Sequence, residues 1–171
     1  LFSVNALAQR KGTFRCLITR MDGSVQYGYL RIDKSRITPS QFEFYKGNSN
    51  SGEKELITPQ NAKFINIADS LFYRSGFVKV YDNPVDKNTL GEQSDEPMKE
   101  GTFFLARLIR GSRVSLFALE DSTKTHYILE DSSFNLQCLR YVRYYDNAEG
   151  GSAIIEKTFY KNQLLAYVDK N

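Results

Sequence analysis

The chain has 171 residues, enough for one ordinary domain with a proper core, and its 11 tyrosines and 12 phenylalanines favour β structure. Lysine and arginine number 23 against 20 acidic residues, a formal charge of +3. This balance removes the broad basic footprint of a nucleic-acid binder, and no run approaches the roughly 18 apolar residues of a membrane-spanning helix.

The opening LFSVNALAQ reads as the end of a secretory signal peptide, with apolar residues 1–4 followed by Ala6-Leu7-Ala8, the small-x-small pattern that precedes cleavage. Residues 1–8 are then a leader remnant, and residues 9–171 are a single β-rich domain. The other reading of 1–8 is a short N-terminal strand. Cys16 and Cys138 are the two cysteines. An oxidising compartment would allow a bridge between them if their Cα atoms come within about 7 Å; otherwise they are separate buried thiols. Neither has a Cys or His at ligand spacing, so no metal site is expected.

Residues 13–32 read as a hairpin turning at Asp22-Gly23, the type I′ signal, with Cys16, Ile18, Val25, Tyr27 and Tyr29 sharing one face and Arg15, Thr19 and Gln26 the wetter one. Short strands are expected at 41–46, 55–58, 63–67 and 70–81, the last with a bend at Gly76. Residues 82–101 hold six acidic residues, two lysines and two prolines, and form an acidic loop. A calcium site built from Asp82, Asp86, Glu92, Asp95 and Glu96 would lack the alternate-residue oxygen spacing of a calcium loop.

Residues 102–120, TFFLARLIRGSRVSLFALE, form the densest apolar stretch and read as a long central hairpin. A two-residue type II′ loop at Gly111-Ser112 would pair Arg110 with Arg113 and place Ala106, Phe104, Phe117 and Leu119 together. Arg107, Arg110 and Arg113 gather near this tip. They are either a solvated hairpin end or an anion-recognising one.

Residues 125–129 and 134–145 complete the strands, 147–152 form a turn, and 157–168 have helical spacing, with Tyr160, Leu164 and Tyr167 or Val168 on one face of an amphipathic helix. His126 is the only histidine and reads as structural, without a nucleophile elbow near it. Aromatic and basic residues interleave in LRYVRYY at 139–145. On a strand, Tyr141, Arg143 and Tyr145 would share one side and could stack on sugar rings; the plainer reading is a charged edge strand.

The order of these segments resembles the exported N-terminal β-rich domain of Bacteroidetes envelope proteins of unassigned function, which is often followed by an outer-membrane β-barrel. The residues that carry the likeness are Asp22-Gly23 with Gly28-Tyr29-Leu30, Pro39 with Phe42 and Phe44, Phe64, Phe103-Phe104-Leu105, Leu116-Phe117, Tyr127-Ile128, and Tyr160-Lys161-x-Gln163-Leu164. The likeness implies no catalytic residues. It implies periplasmic or outer-membrane-associated placement, the latter through a C-terminal region that this sequence, ending at Asn171, does not contain.

The expected fold is mainly β, an antiparallel β-sandwich or rolled sheet built of hairpins with one C-terminal α-helix. The expected function is a non-enzymatic, envelope-associated binding or assembly module. It needs no cofactor, and its partner is an envelope protein or a glycan. The alternative is a carbohydrate-binding or weakly hydrolytic exported protein.

Overall fold

The computed structural model describes residues 12–33, 37–47, 52–82, 90, 98–146 and 153–168. The expected leader at 1–8 and turn at 147–152 lie outside these residues. So do 83–89 and 91–97 of the acidic loop, with Asp86, Glu92, Asp95 and Glu96.

Ten strands form one antiparallel sheet: β1 (Gly12–Arg20), β2 (Val25–Ile32), β3 (Phe42–Lys46), β4 (Lys54–Ile57), β5 (Ala62–Ile67), β6 (Leu71–Tyr81), β7 (Met98–Arg110), β8 (Ser115–Glu120), β9 (Thr125–Glu130) and β10 (Leu136–Cys138). Their spatial order is β10-β9-β8-β7-β6-β5-β1-β2-β3-β4, two meanders joined where β5 returns beside β1. β11 (Val142–Asp146) and β12 (Ala153–Lys157) make a separate two-stranded sheet, and α1 (Phe159–Val168) is the helix among the described residues.

Strand alternation sends successive residues of β6 and β7 to opposite faces, and both faces are covered. Tyr73 and Phe104 enter one core with Ile18, Leu30, Phe44 and Ile65, whereas Phe72 and Leu105 enter a second with Val80, Phe117 and Ile128. Phe44, Phe104 and Phe117 are almost fully buried. Burying each stabilises the fold by about 1.5–3 kcal/mol.

The sheet curls over each core from a different side. In the first half, the Phe42 ring on β3 reaches Tyr73 at 5.2 Å and Phe104 at 5.1 Å. The segment leading into β3 fastens to the end of β8, where the Thr38 amide donates to the Glu120 carbonyl and the Glu120 amide donates to Thr38 Oγ1, both at 2.8 Å. In the second half, β10 comes back over β6: a Cβ on Gly76 would lie 2.3 Å from Leu136 Cδ1. Arg74 of β6 and Glu130 of β9 form an ion pair inside this second roll. The mainly β, antiparallel fold with one C-terminal helix that the sequence predicts is the one adopted.

Both central hairpins turn differently from expectation. At 20–24 the Gly23 amide donates to the Arg20 carbonyl and the Arg20 amide to the Ser24 carbonyl, and Gly23 alone has positive φ, +86°. This is a type I turn closed by a left-handed residue, one residue longer than a type I′ loop. The register becomes Thr19↔Val25 and Leu17↔Tyr27. A one-residue slip exchanges faces, so Val25 and Tyr27 are exposed rather than beside Cys16 and Ile18. At the second hairpin Arg110 pairs with Ser115 and Ile109 with Leu116, with a bulge between Arg107 and Ile109. The loop therefore has four residues, 111–114, and Arg110 does not face Arg113. Gly111 lacks positive φ and is small because a Cβ would lie 2.2 Å from the Val114 carbonyl oxygen.

The expected strand at 134–145 is broken. β10 ends at Cys138 and β11 starts at Val142 in the other sheet, paired with β12. Helix α1 forms but is not cleanly amphipathic, since Leu164 and Leu165 are both exposed. Polar bonds hold it instead. Gln163 Nε2 donates to the Cys138 carbonyl at 3.0 Å, the Arg140 amide donates to Gln163 Oε1 at 2.8 Å, and the Tyr160 amide donates to the Arg140 carbonyl at 2.9 Å.

Candidate functional site

The break after β10 opens a groove of about 880 Å³ between the main sheet and the α1–β12 unit. One wall comes from the turn between β8 and β9 and the start of β9 (Thr123, Lys124, Thr125, His126, Tyr127), with Tyr81 from the end of β6. The other comes from Tyr141, Glu156, Thr158, Tyr160, Lys161 and Leu164. Cys138 and Leu139 lie between them. Tyr141 and Tyr160 meet edge to face at 6.4 Å within the second wall, and Arg140 stacks on Phe159 at 4.0 Å and on Tyr81 at 5.2 Å, bracing the two walls against each other.

An aspartate turn shapes the sheet-side wall. Asp121 Oδ1 accepts from the amides of Thr123 and Lys124 at 2.8 Å each and from Thr123 Oγ1 at 2.7 Å, a side chain acting as a turn of backbone. Its other oxygen, Oδ2, lies 2.7 Å from His126 Nε2. Burial alone would raise the Asp121 carboxyl, but the hydrogen bonds from His126, Thr123 and Lys124 outweigh it and hold the group well below the usual carboxylate range. His126 is 4% exposed and is locked by this contact.

Cys138 is buried and its thiol is pushed up by that burial, against the Tyr81 amide and the Lys124 ammonium, which pull it down. The thiol form dominates, the reverse of an activated nucleophile. Burial likewise lowers the Lys124 ammonium, opposed by Asp82 and Asp121. Among the described residues lining the groove, Glu156 alone carries a carboxylate, and Arg143 Nε meets it at 3.1 Å.

The residues singled out in sequence scatter. Tyr141 lines the groove. Arg143 lies beside it through Glu156, and Tyr145 sits further along β11, paired with Ile154 and away from the opening. Of the three, Tyr141 is the one among the groove-lining residues. Arg107 lies over the Phe72 ring at 3.9 Å, and Arg110 and Arg113 are exposed around the β7–β8 loop. Cys16 and Cys138 are both free and occupy opposite cores, so no bridge joins them. Among the described residues no three His, Cys, Asp or Glu side chains are grouped to hold a metal ion, and no helix is long and apolar enough to cross a membrane.

Sequence reasoning missed Tyr81, Tyr127 and Tyr160 as neighbours of Tyr141. The one local signal was Asp121-x-Thr123, an aspartate-turn pattern that places Lys124 and His126 on the groove wall. No family model, curated protein or solved structure matches the chain.

Proposed function

We propose that this protein is a non-enzymatic binding module of the cell envelope, and that a short saccharide is the ligand of the groove beside α1. The observation that carries the reading is the gathering of Tyr81, Tyr127, Tyr141 and Tyr160 around one opening, interleaved with the hydroxyls of Thr123, Thr125 and Thr158. Tyrosine faces cover the apolar C–H side of a sugar ring while hydroxyls and Lys124 meet its oxygens. Two features favour binding over turnover: the Cys138 thiol is kept protonated, and Glu156 is engaged by Arg143 rather than set opposite a second carboxylate in the groove. The leader-like pattern of residues 1–8 supports placement at the envelope.

The test is retention of the folded domain on immobilised cell-wall and capsular polysaccharides. Tyr141→Ala and Tyr160→Ala each weaken retention at least about tenfold, as expected when a stacking ring is lost, with a melting temperature near wild type. Unchanged retention in both variants removes the saccharide reading. Fractionation of native cells with an antibody to the domain tests the placement, which a cytosolic band would overturn.

A further inference from the structure

Two hairpins of the main sheet use the same turn, and one breaks its residue rule. In the β1–β2 loop the left-handed position is Gly23. In the β9–β10 loop the Asp131 amide donates to the Asn135 carbonyl at 3.1 Å and the Phe134 amide to the Asp131 carbonyl at 3.0 Å, the same closing pattern with Phe134 where glycine stands in the other. Phe134 has φ +64° and is 73% exposed, the most exposed large apolar side chain among the described residues. An aromatic L residue rarely takes this conformation. The turn is nevertheless fixed: Asp131 Oδ1 accepts from the amides of Ser133 and Asn135 at 2.8 and 2.9 Å, and Oδ2 from Asn135 Nδ2 at 2.9 Å. The fold gains no burial from this ring and holds it outward at the cost of backbone strain, the pattern of a residue placed for a partner.

The register shows what surrounds it. Arg110 pairs with Ser115, Ser115 with Glu130, and Glu130 with Leu136, so the β7–β8 and β9–β10 loops leave the sheet from one row, roughly 10 Å apart. Ile109 is 59% exposed beside the first loop, and Arg110 and Arg113 are exposed around it. Arg107 on β7 and Asp131 in the β9–β10 loop lie at the same end. Glu130 is taken by Arg74. The result is a basic tip bearing two exposed apolar side chains.

We infer that this tip docks on an anionic lipid surface, with Phe134 and Ile109 entering the headgroup–acyl boundary and Arg110 and Arg113 meeting the anionic headgroups. Exposed apolar side chains beside exposed arginines are the pairing that an anionic bilayer receives, the apolar groups in its boundary and the cations at its headgroups. Docking would leave the groove accessible, since β9 separates the two: His126 and Tyr127 at its start line the groove, and Glu130 at its end leads into the tip.

The test is co-sedimentation of the folded protein with phosphatidylcholine vesicles and with vesicles also containing phosphatidylglycerol. Wild type sediments with the anionic vesicles and is released by salt. Phe134→Gly lowers the partition about tenfold or more, yet melts at or above the wild-type temperature because the strain is relieved. Arg110→Gln with Arg113→Gln removes the preference for anionic vesicles. The proposal is overturned if wild type does not sediment, if Phe134→Gly sediments as well as wild type, or if that variant melts lower.

Discussion

The side chain of Gln163 stands in for a peptide group at the edge of β10, giving its Nε2 hydrogen to Cys138 at 3.0 Å while its Oε1 accepts from Arg140 at 2.8 Å. An edge strand carries unpaired backbone groups that otherwise recruit another chain. Here one glutamine satisfies two of them and in doing so fixes the helix that walls the groove. Gln163→Leu leaves both groups unpaired in a part-buried site and is expected to cost about 1–3 kcal/mol. Hydrogen exchange should accelerate across 159–168, while Asn162→Leu, at an exposed neighbour, changes little. Equal protection in the two variants would show that the helix is held by something else.

Two glycines separate a backbone constraint from a side-chain one. A Cβ on Gly28 would lie 2.3 Å from the Tyr45 carbonyl oxygen and 2.6 Å from the Phe44 ring, neither free to move without opening the β2–β3 pair. At Gly76 the nearest atom is Leu136 Cδ1, the far end of a flexible side chain. Gly28→Ala is therefore the more damaging, about 3 kcal/mol or more, and Gly76→Ala costs about 1–2 kcal/mol. Leu136→Ala combined with Gly76→Ala should restore part of the loss. Urea midpoints measure both, and the reverse order would contradict the packing described.

Thiol chemistry gives a third check. Burial pushes the Cys16 thiol up to about 12 and raises that of Cys138. Neither should react with a disulfide reagent at pH 8 in the folded protein, and both should react once urea unfolds it. A Cys16–Cys138 disulfide found by peptide mapping of the folded protein would contradict the separate placement of the two sulfurs.

Asp121 sets an acid limit on stability. Its carboxyl lies below its unfolded value of 3.8. The native state therefore holds this proton less tightly, and the contribution is complete above about pH 4 and lost as pH falls through the native value. Wild type should lose urea resistance steadily below about pH 4. Asp121→Asn should be weaker at pH 7 and show a shallower acid limb. If the two curves stay parallel, the hydrogen bonds to Asp121 are not a source of stability.

The strands were legible in sequence because alternation and turn residues mark them locally. Asp22-Gly23 marked a hairpin correctly, but the extra loop residue reversed the faces of Val25 and Tyr27, since composition signals a turn more clearly than its length. The turn at Ala68 and Asp69, with φ of 48° and 54°, carries no glycine and so gave no warning. Tyr141 stood out as an aromatic beside arginines. Tyr81, Tyr127 and Tyr160 did not, because the groove is made by the return of β10 over β6 and the docking of α1, and neither event leaves a periodic trace.

Phe104 and Leu105 are adjacent in the chain yet belong to opposite cores, so β7 cannot leave one without abandoning the other. The two rolls are accordingly one cooperative unit rather than two halves with separate thermal lives. Calorimetry should record a single peak whose calorimetric and van't Hoff enthalpies agree. Leu105→Ala and Phe104→Ala should each move that peak as a whole, and neither half should survive proteolytic excision as a folded fragment.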